Sequence, residues 1–241
     1  MTPAPRNRKR SPAALRRRRR WFVVLAAVPV TFIAVSVLLT LPLRWFDPAT
    51  TAFMLQDDSG RDPLLHEWIE WDEMGAAIVL AVVAAEDQRF SVHFGIDFES
   101  IRKSIDSAGR GGRLRGASTI TQQVAKNLYL WPGRSYLRKG IEAWFALLLE
   151  TFLPKRRILQ IYLNIAEFGP GIYGISAASR YYFGEPAIQL RDGEAALLAA
   201  VLPSPRRLQP HRPSDYVRER QRWILGQMQR LRREGWLATL D

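Results

Sequence analysis

Residues 21–43 (WFVVLAAVPVTFIAVSVLLTLPL) run for 23 positions without a charge, and no other segment limits so strongly what the chain can fold into. As a helix at 1.5 Å per residue they reach about 34 Å, enough to cross a hydrocarbon layer of about 30 Å. Residues 1–20 before them hold nine basic residues (Arg6, Arg8, Lys9, Arg10 and Arg16 to Arg20) and no acid. A cleavable signal peptide is the competing reading, but its apolar core spans about 7 to 15 residues and ends at small residues. This run is longer and exits into Arg44, Trp45 and Phe46, which favours an uncleaved anchor. The charge asymmetry places the N-terminus in the cytoplasm and residues 44–241 outside, with Trp21 and Trp45 at interfacial positions. The expected organisation is therefore a basic arm (1–20), an anchor (21–43), a connector broken by Asp, Pro and Gly (44–74) and a domain over 75–241.

The arm also changes the meaning of the net charge: taking its nine charges from +12 leaves +3 for the rest of the chain. Because topology accounts for the basic run, nucleic acid is not expected as a partner. The absence of cysteine excludes disulfides, thiol catalysis and thiolate metal sites. The three histidines, His66, His93 and His211, are too scattered for a histidine-rich metal site.

Beyond residue 74 helical periodicity dominates, with helices expected near 76–89, 97–107, 119–129, 135–152, 155–166, 173–182, 191–201 and 214–234, so the outer domain reads as mostly α. Residues 106–116 (DSAGRGGRLRG) interrupt the pattern as a basic, glycine-rich loop. Two readings stand for it: a solvated loop, or a flap over an anionic substrate. It lacks the Gly-Lys-Ser/Thr of a phosphate-binding loop.

Chemistry concentrates in four places. The apolar run Ala76 to Ala85 ends directly in Glu86 and Asp87. A carboxylate held against apolar surface is desolvated and its pKa rises, which makes it a proton acceptor or donor near neutral pH. A solvated pair at a fraying helix end is the plain alternative. Phe90, His93 and Asp97 follow at i+4, i+7 and i+11 from Glu86, with Gly95 as a break; His93 alone is as compatible with a hydrogen-bonding structural residue as with a catalyst. In the second place, Thr119 and Gln122 fit a capping box, within a density of polar groups that the cap does not explain. These are Ser118, Thr119, Thr121, Gln122, Gln123, Lys126 and Asn127, with Gln123 and Lys126 on the face of Thr119. Hydroxyl, amide and ammonium at one helix end suit sugars and phosphates. Third, Glu142 stands one turn after Arg138 and Lys139, either as half of a surface ion pair or as a second carboxylate bracketed by cations. Last, residues 155–168 (KRRILQIYLNIAEF) place three cations on the first turn of an apolar helix, against the helix dipole. Ser100 and Lys103 match S-x-x-K by chance, as no S-D-N or K-T-G accompanies them.

Taken together, EDQRFSVHFGID (86–97), GASTITQQVAKNL (116–128), RKGIE (138–142), KRRILQIYLN (155–164) and AALLAAVLPSP (195–205) resemble, in order, the segments of the peptidoglycan glycosyltransferases, glycosyltransferase family 51. With no transpeptidase domain before Asp241, the resemblance is to the monofunctional members, without transpeptidase activity. It implies a lysozyme-like glycosyltransferase domain with a membrane-proximal apolar subdomain. It further implies polymerisation of lipid II into β-1,4-linked strands with release of undecaprenyl pyrophosphate, by inverting transfer. By motif position Glu86 matches the general base and Glu142 the second carboxylate that assists the leaving group. Phe90, His93, Thr119, Gln123, Lys126, Arg138 and Lys139 match positions lining the sugar and pyrophosphate sites, and Asp87, Ser118, Gln122 and Asn164 complete the expected substrate-binding set. No metal-ligand cluster stands out; a divalent cation, Mg or Mn, is the one cofactor a pyrophosphate site admits. The implied partners are lipid II, the growing glycan, membrane lipid and other cell-wall synthesis and division proteins, and the implied location is the bacterial inner membrane with a periplasmic catalytic domain. Gln160 and Ala117 depart from the family pattern, which often has Glu and Gly there. The alternatives are a glycan-cleaving enzyme with Glu86 as acid, which shortening of preformed glycan would favour, and a membrane-tethered scaffold, whose cellular role Glu86→Gln and Glu142→Gln variants would still support.

Overall fold

A computed structural model describes residues 12–109, 118–133 and 135–240. The chain divides into two compact units at Leu39/Thr40. Among the described residues of the first is α1 (Pro12–Thr40). The window Ala27–Arg44 is long and apolar enough to cross a membrane, and Leu25, Val28, Val30, Val35 and Leu38 of α1 all expose their side chains. Exposed aliphatic surface at this density is unfavourable in water and neutral in lipid, so α1 fits a single-pass membrane anchor. Residues 1–11 of the basic arm lie outside the described residues.

The second unit is mostly helical: α2 (Ala52–Leu55), α3 (Ala76–Glu86), α4 (Phe98–Gly109), α5 (Ile120–Tyr129), α6 (Tyr136–Phe152), α7 (Lys155–Ile165), α8 (Ile175–Phe183), α9 (Asp192–Val201) and α10 (Asp215–Arg233). Its centre follows from composition. A helix apolar on every side can only be buried on every side, and α3 is: Ile78 to Ala84 are at most 1% exposed. The small residues and leucines of α9 pack along it, and α10 lays Val217, Ile224, Met228 and Leu231 over both. On the other side α5 packs against α6 and α7.

Period-2 patterning does not reveal the small sheet, because its strands are only two or three residues long. β1 (Leu65–His66) pairs in parallel with β3 (Ile172–Tyr173), which pairs antiparallel with β2 (Glu167–Gly169). Tyr173 therefore leaves the helix expected over 173–182, and α8 begins at Ile175. The 44–74 segment joins the compact unit, contributing β1, α2 and the buried side chains of Met54, Ile69 and Met74. Of the glycine-rich loop, residues 110–117 lie outside the described residues, Ala117 included; α4 runs up to Gly109.

The helix expected over 76–89 stops at Glu86. Asp87 leaves helical geometry at φ −159°, ψ 77°, and the reason lies in what its side chain does next.

Candidate active site

Asp87 joins the end of α3 to the start of α5. Its Oδ2 accepts the backbone N–H of Ile120 at 3.0 Å, and His93 Nε2 meets the same oxygen at 2.9 Å. The N-terminus of α5 thus receives a carboxylate at its unpaired N–H groups and positive dipole end. Thr119 and Gln122 form the expected capping box, each backbone N–H bound to the other's side chain at 3.1 and 3.2 Å. The Thr119 hydroxyl donates to Gly95 O at 2.5 Å, and Gly95 holds φ +74° where a Cβ would stand 3.1 Å from Ala146 O. Asp87, Thr119 and Gln122 are buried with these bonds made, so they form the frame that orients α5. His93 lies in the same frame, with Phe90 fully buried edge-on to its ring.

With α5 so fixed, the last residue of α3 faces its side. Glu86 Oε2 accepts from Gln123 Nε2 at 2.9 Å, and Oε1 stands 3.5 Å from an Arg220 nitrogen. The side chain is 14% exposed. Burial raises its pKa above the usual carboxylate range; the Gln123 hydrogen bond, Arg220 and Lys126 pull it back down, and Asp87 pushes it up. Lys126, one turn beyond Gln123, has its ammonium 5.1 Å from the Phe53 ring centroid. Burial lowers its pKa, while Glu142 and Glu86 raise it and Arg138 and Lys139 lower it further. One ammonium thus lies in the field of both carboxylates.

Glu142 is buried at 3% exposure, which settles the choice left by its i, i+4 spacing: it is no surface pair. Arg138, on the first turn of α6, reaches Glu142 Oε2 at 3.1 Å, and the Lys139 ammonium binds Oε1. Lys139 also donates to Ser118 at 3.1 Å, which brings the exposed Ser118 to the rim of the same cluster. The Nε of Arg138 and of Arg220 are buried and have no hydrogen-bond partner among the described residues. Buried donors without acceptors are costly, and these two, each beside one carboxylate, suit oxygens brought by a ligand.

The structure therefore gathers these residues into two polar clusters, Glu86 with Gln123 and Glu142 with Arg138, Lys139 and Ser118, with Lys126 in the field of both. Asn164 belongs to another. It is fully buried, accepts Ile69 N–H at 2.9 Å, and donates to Ile69 O and Gln160 O at 3.0 and 3.1 Å, tying α7 to residue 69. Its amide is spent on backbone, which a spacing argument along KRRILQIYLN has no means to detect.

Three contributors escape the sequence reading. Arg220 sits at i+3 from Val217 and i−4 from Ile224, a cation on the apolar stripe of α10, and that misplacement was a usable signal. Tyr162 stands behind Gln123, its hydroxyl donating to Oε1 at 3.1 Å; a tyrosine within an apolar helix carries no such mark. Glu150, nearly buried, takes Thr121 and Lys155 at 2.6 and 2.7 Å. Lys155 also reaches His93 O at 2.6 Å. Arg156 pairs with Asp72, and Arg157 binds Leu43 O, Phe46 O, Asp47 and Gln160. The cations against the dipole of α7 thus serve tertiary contacts. Gln160 uses both ends of its amide, accepting from Arg157 at 3.0 Å and donating to Glu70 at 2.9 Å.

Among the described residues no three His, Asp or Glu side chains come together as a metal-ligand set, and the two carboxylates are already bound by Gln123, Arg138 and Lys139. This donor set does not fit a preassembled divalent site.

Comparison with known proteins gives a consistent result. The transglycosylase family model matches residues 57–229. A biosynthetic peptidoglycan transglycosylase of Xanthomonas campestris pv. campestris (strain B100) is 50% identical over 238 residues, covering 95% of each chain. Proteins of the same description from Marinomonas sp. (strain MWYL1) and Pseudomonas aeruginosa PAO1 are 51% and 47% identical, covering 88% and 87% of this chain and 90% and 93% of theirs.

Proposed function

The chain belongs to the transglycosylase family, and from that premise we propose that it is a peptidoglycan transglycosylase that polymerises lipid II with Glu86 as general base. The carrying observation is the pair of carboxylates, Glu86 mostly buried and Glu142 buried, with the Lys126 ammonium in the field of both.

In this reading the acceptor sugar presents its 4-hydroxyl to Glu86 Oε1, the oxygen that Gln123 leaves open. Burial makes Glu86 a stronger base than a solvated carboxylate, and Gln123, Arg220 and Lys126 keep enough of it ionised to act. The hydroxyl oxygen attacks the anomeric carbon of the donor; the bond to pyrophosphate breaks on the opposite face and the proton passes to Glu86. Lys126, Arg138 and Lys139 meet the negative charge that develops on the departing pyrophosphate, and Glu142 fixes the last two where it departs. Ser118, at the rim, contributes a hydroxyl to the bound sugar phosphate. Asp87, Phe90, His93, Thr119 and Gln122 act one layer behind, by holding the end of α3 against the start of α5. No step runs through a metal ion.

The same reading explains the anchor. A lipid-borne substrate is met at the membrane surface, and Trp45, Phe46, Leu55, Tyr136 and Leu137 expose apolar area for it. We place the N-terminus in the cytoplasm, the catalytic domain in the periplasm and the protein in the inner membrane, on the charge asymmetry of residues 1–20. The experiment is turnover of lipid II by purified wild type beside Glu86→Gln. Loss of polymerisation with the fold intact is expected; a Glu86→Gln variant that still polymerises overturns the base, and glycan shortening by wild type overturns the reaction.

A further inference from the structure

Glu86, Gln123 and Tyr162 form a single polar chain through otherwise apolar packing, one residue from each of three helices. Tyr162 on α7 donates its hydroxyl to Gln123 Oε1 at 3.1 Å, and Gln123 on α5 donates Nε2 to Glu86 Oε2 at 2.9 Å at the end of α3. Tyr162 is 1% exposed, and its neighbours along α7, Ile158, Leu159, Ile161 and Leu163, are fully buried aliphatics. An aliphatic side chain or phenylalanine would serve that packing without a hydroxyl to satisfy. The tyrosine hydroxyl has one hydrogen bond, and it goes to the amide that touches the candidate base.

We propose that Tyr162 is a positioning residue for the transfer reaction, holding the Gln123 amide so that Nε2 occupies Oε2 of Glu86 and leaves Oε1 to the acceptor hydroxyl. This rests on the reading of Glu86 as general base. The physical argument concerns the amide. A glutamine has a donor end and an acceptor end joined by a flexible stem. Turned over, it would set Oε1 against a carboxylate oxygen, acceptor against acceptor. Turned aside, it would leave Glu86 free to rotate and offer either oxygen. The carboxylate itself opposes the first departure, and a hydroxyl that donates to Oε1 opposes the second; burial makes that bond worth more than in water while making its loss costlier. Glu86 ends α3, and among the described residues its carboxylate takes hydrogen bonds from Gln123 at 2.9 Å and Arg220 at 3.5 Å, so its orientation depends on this chain and on the Arg220 contact. A misplacement of the order of 1 Å in a reacting group costs about 100-fold in rate.

The test removes one oxygen atom. Tyr162→Phe keeps the ring and its packing. Lipid II polymerisation by the full-length variant is expected to show kcat reduced about tenfold with KM unchanged within about twofold, a partial form of that misplacement. The acid limb of its kcat/KM profile is expected to move to higher pH, because a less persistent Gln123 hydrogen bond no longer favours the ionised carboxylate. In a Gln123→Leu background the same Tyr162→Phe change is expected to have no further effect on kcat, since its object is gone. A 13C NMR titration of the Glu86 side-chain carboxyl reads the chain without turnover and is expected to give a higher midpoint in Tyr162→Phe. An unchanged kcat and an unchanged Glu86 titration overturn the proposal. So does an equal loss in the Gln123→Leu background, which would mark Tyr162 as packing only. Full activity in Glu86→Gln would instead strike the base itself, and the titration would still report whether Tyr162 orients that carboxylate.

Discussion

Glu86, mostly buried, and Glu142, buried, are both carboxylates in the field of Lys126, yet their surroundings are built on opposite plans. Glu86 ends a wholly apolar helix and is met by a neutral amide at 2.9 Å and an arginine only at 3.5 Å. Glu142 lies inside an amphipathic helix, bound directly by Arg138 and Lys139 of the preceding turn. A carboxylate left short of charge partners holds its proton more tightly and can exchange it with a substrate. One clamped between two cations spends its charge on holding those cations in place. In the mechanism proposed above this is a division of labour: the same side chain serves as base or as charge holder according to whether its nearest partner is neutral or positive.

The strongest way to break this comparison is to neutralise each carboxylate in turn. Glu86→Gln should lower polymerisation of lipid II by at least about 1000-fold, the upper part of the range for a lost general base. Glu142→Gln should lower it by about 100-fold, as loss of an electrostatic support. If the two losses were reversed in size, the assignment of roles would be reversed too. Stability sharpens the contrast, because the two signs differ. Glu86 has a pKa raised by burial, so its contribution to folding is present below its unfolded pKa and is lost as pH rises through the folded value. At pH 7.5 Glu86→Gln should therefore raise stability by up to about 1 kcal/mol. Glu142→Gln should lower it by about 2 kcal/mol, since Arg138, only 11% exposed, loses its partner. Urea unfolding of the two variants checks both signs, and two changes of the same sign would refute the contrast.

The pH dependence of the wild type follows from the same side. With Glu86 as the proposed base, activity would need it ionised, so kcat/KM should fall as pH drops through a value above the ordinary carboxylate range. Lys126→Met removes a cation that pulls that pKa down, so it should move the acid limb to higher pH besides lowering the rate by about tenfold. An acid limb that stays in place in Lys126→Met would mean the ammonium does not act on Glu86.

How far the comparison was legible in the sequence differs between its halves. The helices around both carboxylates follow from apolar periodicity and caps, and Thr119 with Gln122 announced the start of α5 to within a residue. The desolvation of Glu86 was likewise foreseeable, from ten apolar residues running into a carboxylate. Glu142 was not decided by spacing, because Arg138 at i−4 is equally a surface pair or a buried one, and only packing of α6 against α5 makes the difference. Of the partners from distant segments, Arg220 left a mark as a cation on the apolar stripe of α10, but which carboxylate it meets, and which face of α7 turns Tyr162 toward the site, is information that local pattern does not hold. Gln160 illustrates the limit from another side. Its departure from glutamate left its role open in the sequence, whereas the structure shows an amide bridging Arg157 and Glu70, where a carboxylate would face Glu70 directly.

The smallest expected effect distinguishes the two cations on Glu142. Lys139 is 45% exposed and Arg138 11%. An exposed ammonium is screened by solvent and salt and contributes little to the fold. An enclosed guanidinium with a buried, unpartnered Nε is held where it acts. Lys139→Gln should therefore leave the urea midpoint nearly unchanged and lower polymerisation only about threefold at 0.15 M salt, an effect that shrinks as salt is raised. Arg138→Gln should cost about tenfold in rate and keep that cost at high salt. Equal, salt-sensitive losses in both variants would show that Glu142 is solvated when substrate arrives, and the distinction between a solvent-shielded charge holder and a shielded base would no longer stand.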